Sequence, residues 1–151
     1  MHFVKIWIHL VWSTKNRQPF LTKDIRQKVF SHMMENARTK DIYVDFINGY
    51  TDHVHCLISL NKQQTISQIV QLIKGESSHW INKNQLCKEN FQWQEDYFAV
   101  SVSESIVNKV REYIKNQEAH HAGKTFDQEY IELIEKYGFP ISPWPKGQGN
   151  S

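Results

Sequence analysis

The sequence is most informative at Tyr50-Thr51-Asp52-His53-Val54-His55-Cys56-Leu57-Ile58-Ser59-Leu60. The apolar residues of this run are typical of a β-strand. Because side chains alternate along a strand, His53 and His55 point to one face and Val54 points to the other. Two imidazoles about 7 Å apart along a strand face, by the strand rise, can converge on one divalent ion. The run therefore predicts a strand that carries half of a metal site.

Other strands are predicted on both sides of this run. Residues 3–12 alternate two sets of side chains, which indicates a first strand. Residues 42–50 indicate a second strand, which ends at the turn signal Asn48-Gly49 and pairs with the histidine strand as a hairpin. Residues 97–102 indicate a fourth strand. The histidine strand is the third of the four in chain order.

Helices are predicted where apolar residues recur at helical spacing. One of them begins with Thr65 as its cap, and Gln68 three residues later completes a capping box. The other three cover residues 24–40, 103–121 and 127–137. The helix over residues 103–121 is capped by Ser103, and Gly123 lies just beyond its end.

The predicted order of elements is β-α-β-β-α-β, followed by helices. This order is the ferredoxin-like split βαβ pattern of an α+β protein. It predicts an antiparallel four-stranded sheet with helices on one face, plus C-terminal helices. Residues 1–137 are expected to form one domain, and residues 138–151 a tail rich in proline and glycine.

The composition fits a globular protein of the cytoplasm. The chain has 151 residues, 40% of them hydrophobic, and a net charge of +2, so any nucleic-acid surface must be local. Cys56 and Cys87 form neither a CxxC pair nor a disulfide framework, which indicates reduced thiols. The sequence shows no secretory signal and no run of membrane-spanning length, so no membrane partner is expected.

The best third ligand for the histidine pair lies on the predicted helix over residues 103–121. Tyr113 and Gln117 are four residues apart and share one helix face. Gln117 offers a carbonyl oxygen to a metal, and Tyr113 offers a phenol that becomes a nucleophile once it is deprotonated. With a phosphate supplying further oxygens, this set suits Mg²⁺ or Mn²⁺. The histidines alone suit Zn²⁺ equally well.

Several motifs of the chain, and the order in which they occur, resemble the single-tyrosine HUH transposases of small bacterial insertion sequences. This group is related to the REP-associated tyrosine transposases. An HxH pair alone is weak evidence, but the pair together with a downstream Tyr-x-x-x-Gln helix is strong. The matching segments are His9-Leu-Val-Trp-Ser-Thr-Lys15, Asp52-His-Val-His-Cys-Leu57, Leu72-Ile-Lys-Gly-Glu-Ser-Ser78, Trp93-Gln-Glu-Asp-Tyr-Phe98 and Tyr113-Ile-Lys-Asn-Gln117.

The resemblance implies a metal-dependent reaction on single-stranded DNA with hairpin ends. It assigns the metal ligands to His53, His55 and Gln117, and the nucleophile to Tyr113, which forms a 5′-phosphotyrosine and leaves a free 3′-OH. The covalent link conserves the phosphodiester's free energy, so no nucleotide cofactor is expected. The resemblance also implies a homodimer in which Tyr113 of one subunit can complete the site of the other.

The DNA contacts are less well defined by the sequence. Lys15, Arg17 and Lys74 are candidates for contacts to phosphates, although lysine and arginine side chains often only keep their charge in water. Trp12, Trp80 and Trp93 are candidates for stacking on unpaired bases, but burial in the core is the commoner role of tryptophan. The pair His120-His121 is a candidate for contact with the metal or with DNA, although histidines near a helix C-terminus more often interact with the helix dipole.

Two other functions fit parts of the sequence. A ferredoxin-like sheet also serves in nucleic-acid recognition, so a catalytically silent or domesticated hairpin-binding protein is one alternative. A replication or plasmid-transfer nickase of the HUH class is another, but such chains are usually longer. Covalent attachment of DNA to Tyr113 separates the transposase from the binding protein.

Overall fold

A computed structural model describes Met1 and residues 3–138 of the chain. Its centre is an antiparallel four-stranded sheet in the order β2-β3-β1-β4. This order confirms the predicted ferredoxin-like α+β fold. The strands are β1 (Ile6–Ser13), β2 (Tyr43–Gly49), β3 (His53–Leu60) and β4 (Phe98–Val102).

Five helices accompany the sheet among the described residues. α2 begins as predicted, because Thr65 accepts a hydrogen bond from the Gln68 amide while the Gln68 side chain accepts one from Thr65. Such a cap is worth about 1 kcal/mol. The helices are α1 (Lys23–Thr39), α2 (Ile66–Lys83), α3 (Val107–Lys115), α4 (Gln117–His120) and α5 (Phe126–Lys136), and short 3-10 turns span Lys15–Arg17 and Glu104–Ile106.

Each face of the sheet carries its own core. α1 and α2 pack on the face to which Leu10, Val54 and Ile58 point. α3 packs on the opposite face through Val107, Val110 and Ile114, against Trp7 of β1 and Leu57 of β3. Because His53 and His55 share the parity of Leu57 in β3, their side chains point to the α3 face.

The predicted turn at Asn48-Gly49 is wrong. Both residues belong to β2 and pair with His55 and Val54 of β3, so the connection lies at residues 50–52. Gly49 is required there by a close approach of the two strands. A Cβ atom added to Gly49 would lie 2.1 Å from the carbonyl oxygen of His53, closer than any side chain tolerates.

The chain forms two compact units, Met1–Glu118 and Ala119–Ser151. The first unit contains the sheet and both cores. The second, as far as it is described, contains α5, which starts with a capping box of Thr125 and Gln128. The predicted tail at residues 138–151 lies, except for Gly138, outside the described residues. No helix in the described part of the chain is both long and apolar enough to cross a membrane.

Candidate active site

β3 presents two buried imidazoles to the face that α3 covers. His53 and His55 are each 0% exposed, and their ring centroids lie 5.1 Å apart. Buried polar atoms need hydrogen-bonding or metal partners, so the groups that face these ring nitrogens define the chemistry of the site.

α4 brings Gln117 into contact with His53. Gln117 is fully buried, and its Oε1 lies 2.9 Å from His53 Nε2. The Gln117 amide is oriented by its own Nε2, which donates to the carbonyl oxygen of Tyr113 at 3.4 Å. The structure thus brings the three residues expected to bind a metal to one place. We call His53, His55 and Gln117 the strand cluster.

Asp52 holds His53 from the opposite side of the ring. Its Oδ1 lies 2.9 Å from His53 Nδ1, so both ring nitrogens of His53 face an oxygen atom. A neutral imidazole has one N–H, and the carboxylate is the stronger acceptor for it. The lone pair of Nε2 then faces the Gln117 oxygen, an arrangement that a shared cation stabilises. The donor set therefore fits a divalent ion, with a carboxylate behind one histidine ligand.

His9 is a member of this site that the sequence did not assign. It is 2% exposed on β1, and its Nε2 lies 2.9 Å from Nδ1 of His55. The two rings are stacked, with centroids 5.1 Å apart. This contact engages Nδ1 and fixes the orientation of the His55 ring. The sequence contained a signal for this position, because the predicted alternation of the first strand places His9 on the same face as Phe3, Lys5 and Trp7.

Tyr113 lies beside the histidines in the same chain. Its ring is half-buried on α3, with its centroid 5.5 Å from that of His55 and 6.2 Å from that of His9. Both contacts are edge-to-face, a geometry that favours aromatic pairs. The expected nucleophile and the expected metal ligands are therefore neighbours within one subunit.

One continuous helix over residues 103–121 was predicted, and this prediction is wrong. α3 ends at Lys115, Asn116 leaves the helical conformation, and α4 begins at Gln117. The side chain of Asn48 donates to the carbonyl oxygens of Ile114 and Lys115, at 3.0 and 3.1 Å. It thereby satisfies two carbonyls at the helix end that would otherwise need the next turn.

Two ion pairs fix the helices that carry the site. Arg111 on α3 donates to both carboxylate oxygens of Asp45 on β2, at 2.7 and 2.9 Å. This contact raises the pKa of Arg111. Arg26 on α1 is buried and donates to Glu118 at 3.0 Å, next to Gln117. The first pair ties α3 to the sheet, and the second ties α4 to α1. The helices that carry Tyr113 and Gln117 are therefore both anchored.

Lys15 and Arg17 lie at the end of β1, on the exposed 3-10 turn Lys15–Arg17. Asn16 and Arg17 adopt positive φ values of 55° and 53°, which turns the chain sharply after the strand. Lys15 borders an open groove of about 510 Å³ between this turn and α2. The two cations are placed where a nucleic acid can reach them.

Lys74 lines the same groove but is engaged by the protein. Its Nζ donates to the carbonyl oxygens of Gln94, Glu95 and Asp96, at 2.6, 2.9 and 3.1 Å. These contacts use the three N–H donors of an ammonium group. Burial lowers the pKa of Lys74 to about 8. Lys74 therefore fixes the loop before β4, and its assignment to a phosphate stays a prediction.

The three tryptophans considered for base stacking have different surroundings. Trp12 is 2% exposed and belongs to the core. Trp80 is stacked on His32, with ring centroids 3.9 Å apart. Trp93 lines the groove beside Lys74 and donates from Nε1 to Ser77 Oγ at 2.9 Å. Of the three, Trp93 is the one placed on the groove.

Comparisons with known proteins place this geometry in context. Residues 2–117 match a family model described as IS200-like transposase. Among curated proteins, the ISDra2 transposase TnpA of Deinococcus radiodurans is 28% identical over 115 residues, which cover 72% of this chain and 81% of that protein.

Two solved structures share the fold. One is a chain of Deinococcus radiodurans R1, provisionally assigned as a transposase, with a TM-score of 0.62 and 24% identity, covering 77% of this chain and 93% of the other. The second is a REP-associated tyrosine transposase bound to a REP hairpin, with a TM-score of 0.61 and 16% identity, covering 100% of this chain and 95% of that one.

Proposed function

The chain belongs to the family of IS200-like transposases and is a DNA-transposing enzyme, and on that premise we propose that it cleaves and rejoins single-stranded DNA through Tyr113. The observation that carries the proposal is the 2.9 Å contact between His53 Nε2 and Gln117 Oε1, with Tyr113 beside His55. Tyr113 and the three residues proposed as ligands of a divalent ion thus lie on one face of the sheet.

The proposed step is a transesterification on Tyr113. Its phenol oxygen attacks the scissile phosphorus, the Oη–P bond forms, and the P–O3′ bond breaks. The phenol loses its proton, and the departing oxygen gains one to become a free 3′-OH. A 3′-OH then attacks the 5′-phosphotyrosine in the reverse sense and rejoins the strand, so no nucleotide cofactor is consumed. The edge-to-face contacts with His9 and His55 would hold the phenol ring in place for this attack.

The strand cluster is proposed to hold Mg²⁺ or Mn²⁺. Such an ion polarises the phosphoryl oxygens and stabilises the charge that develops as the tyrosine attacks. His53 Nε2 and Gln117 Oε1 would be ligands, with His55 as the second imidazole. Asp52 and His9 would orient the two histidines through their Nδ1 atoms.

The proposed substrate is single-stranded DNA with a hairpin at the end of a mobile element. One structural neighbour is bound to a REP hairpin, which supports a folded strand as the ligand. Lys15 and Arg17 are proposed to contact phosphates beside the groove, and Lys74 to act through the loop that it fixes. Trp93 is the proposed stacking residue. The proposal includes a homodimer, which light scattering after size-exclusion chromatography would measure.

The decisive experiment detects the covalent intermediate. The full chain is incubated with Mn²⁺ and a labelled hairpin oligonucleotide with single-stranded flanks, and the products are separated on a denaturing gel. We expect an adduct at Tyr113, identified by mass spectrometry, and a loss of at least about 1,000-fold in Tyr113→Phe. Tyr43→Phe, an exposed position on β2, is the matched control and should form the adduct normally.

An adduct in Tyr113→Phe at the parent rate would contradict the assignment of the nucleophile. Tight hairpin binding without an adduct, under either ion, would instead identify the chain as a hairpin-binding relative that does not cut.

A further inference from the structure

A second cluster of metal-type side chains lies in the unit that starts at Ala119. Among His120, His121 and Glu129, each residue offers a ligand atom within 4.8 Å of those of the other two. His120 ends α4, and Glu129 stands in the first turn of α5. The sequence favoured a dipole interaction for the two histidines over a contact with a metal or DNA. We call these three residues the C-terminal cluster.

Glu129 is the centre of this cluster. The residue is 1% exposed, and a buried carboxylate is costly unless it is paired. Within the C-terminal cluster, its Oε1 lies 2.9 Å from His121 Nε2, and its Oε2 lies 3.5 Å from His120 Nε2. The carboxylate therefore faces two imidazole nitrogens at once.

His121 is oriented as metal-binding histidines usually are. Its Nδ1 lies 2.6 Å from the carbonyl oxygen of Lys124, which can only accept, so Nδ1 carries the hydrogen. A neutral His121 then turns the lone pair of Nε2 toward a Glu129 oxygen. A cation between the two removes this repulsion, and an Nδ1–H bond to a backbone carbonyl is the usual support for an Nε2 ligand.

We propose that His120, His121 and Glu129 bind a transition ion of the Zn²⁺ type. Two imidazoles and a carboxylate with one open position form a known zinc ligand set, and nitrogen ligands disfavour Mg²⁺. Ligand atoms about 2.1 Å from a tetrahedral ion lie roughly 3.4 Å from one another. The 3.5 Å separation of His120 Nε2 and Glu129 Oε2 fits that distance, and the 2.9 Å contact of His121 needs only a small expansion.

The ion, with water completing its coordination, would link two helices. It would join the end of α4 to the first turn of α5 across residues 121–125, a segment that closes through the Thr125 cap. A small unit with few buried apolar residues gains much of its stability from such a link.

The test measures Zn²⁺ binding by the full chain. Metal-free protein carrying His53→Asn and His55→Asn is titrated with Zn²⁺ against a chromophoric chelator, and bound metal is counted by mass spectrometry. We expect one Zn²⁺ per chain. Adding Glu129→Gln or His121→Ala should weaken binding more than about 100-fold, since loss of outer partners alone costs 10- to 100-fold. His79→Ala, an exposed histidine on α2, should change nothing.

Two results would overturn the proposal: no Zn²⁺ on the His53/His55 variant, or unchanged affinity in Glu129→Gln. The first result would fit a protonated His121 paired with Glu129, and the second would show that Zn²⁺ binds without Glu129.

If circular dichroism shows that these variants do not fold, a second measurement on the unaltered chain tests the proposal. Zn²⁺ should slow the modification of half-buried His120 by diethyl pyrocarbonate but not that of His79, as mapped by peptide mass spectrometry. Equal modification of His120 with and without Zn²⁺ would rule the site out.

Discussion

The strand cluster and the C-terminal cluster contain the same kinds of side chain, but the carboxylate lies on opposite sides of the histidine in the two clusters. Each has two histidines and one further side chain that offers an oxygen atom, and each contains a histidine with oxygen atoms facing both of its ring nitrogens. In the strand cluster the carboxylate of Asp52 stands behind His53 and the neutral amide of Gln117 stands in front. In the C-terminal cluster a backbone carbonyl stands behind His121 and the carboxylate of Glu129 stands in front.

The position of the negative charge separates the two proposed roles. Neutral ligands in the strand cluster would leave the charge of a divalent ion available to phosphate oxygens. A carboxylate ligand in the C-terminal cluster would neutralise half of that charge and favour tight, static binding. We therefore propose that ligand charge, rather than ligand geometry, separates the catalytic role of the strand cluster from the linking role of the C-terminal cluster.

The clusters also differ in how the chain assembles them. His53 and Gln117 are 64 residues apart, whereas His121 and Glu129 are 8 apart. The distant pair meets only because the sheet, α3 and the anchors at Asp45 and Asn48 are in place. We therefore expect the strand cluster to be formed by the fold, and the C-terminal cluster to depend on its ion.

Removal of metal ions by a chelator should show the largest difference between the two clusters. Removing Zn²⁺ with a chelator should raise amide exchange in residues 119–137 about 100-fold, the effect of an ion present at roughly 100 times its dissociation constant. Residues 53–60 should exchange at an unchanged rate, because the fold alone holds them. Hydrogen exchange with mass spectrometry measures both segments in one sample. Equal loosening of the two segments would contradict the distinction.

Asp52→Asn tests the charge behind the strand cluster. The amide keeps the shape of Asp52 but weakens its hold on His53 Nδ1, so the Mn²⁺ concentration for half-maximal adduct formation should rise about 10- to 100-fold. Zn²⁺ binding by the C-terminal cluster should stay the same. Asp41→Asn, on an exposed turn with positive φ, is the matched control. An unchanged Mn²⁺ requirement would show that Asp52 does not orient His53.

Gln117→Glu makes the strand cluster resemble the C-terminal one. A carboxylate in front of His53 should tighten Mn²⁺ binding and slow adduct formation, each by about tenfold, which corresponds to about 1.4 kcal/mol. Isothermal titration gives the first quantity and the denaturing gel gives the second. Gln63→Glu adds the same charge at an exposed position and should alter neither. Faster adduct formation in Gln117→Glu would refute the role given to ligand charge.

Much of the fold could be predicted because its signals are local. The alternation in β1 and β3 and the capping box at Thr65 depend on neighbouring residues, and the structure shows each of them. The βαββαβ order then leaves few sheet topologies, and the observed one is the predicted ferredoxin-like sheet.

The errors and omissions arise from contacts between distant residues. Asn48-Gly49 is a good local turn signal, but pairing with β3 keeps both residues in a strand. The same Asn48 ends α3 sixty-six residues later in the chain, where no local signal marks a stop. His9 and Lys74 also take their roles from remote partners, His55 in one case and the loop before β4 in the other.

Gly49 has no side chain that could react or bind, but it controls the position of a residue in the candidate active site. The carbonyl of His53 occupies the space where its side chain would be, so even alanine would push the start of β3 away from β2. The displaced residue would be His53 itself. In a screen of random variants, Gly49 should therefore group with the histidines as intolerant of substitution. This constraint would then be retained together with the proposed metal ligands, although Gly49 itself would bind no ion.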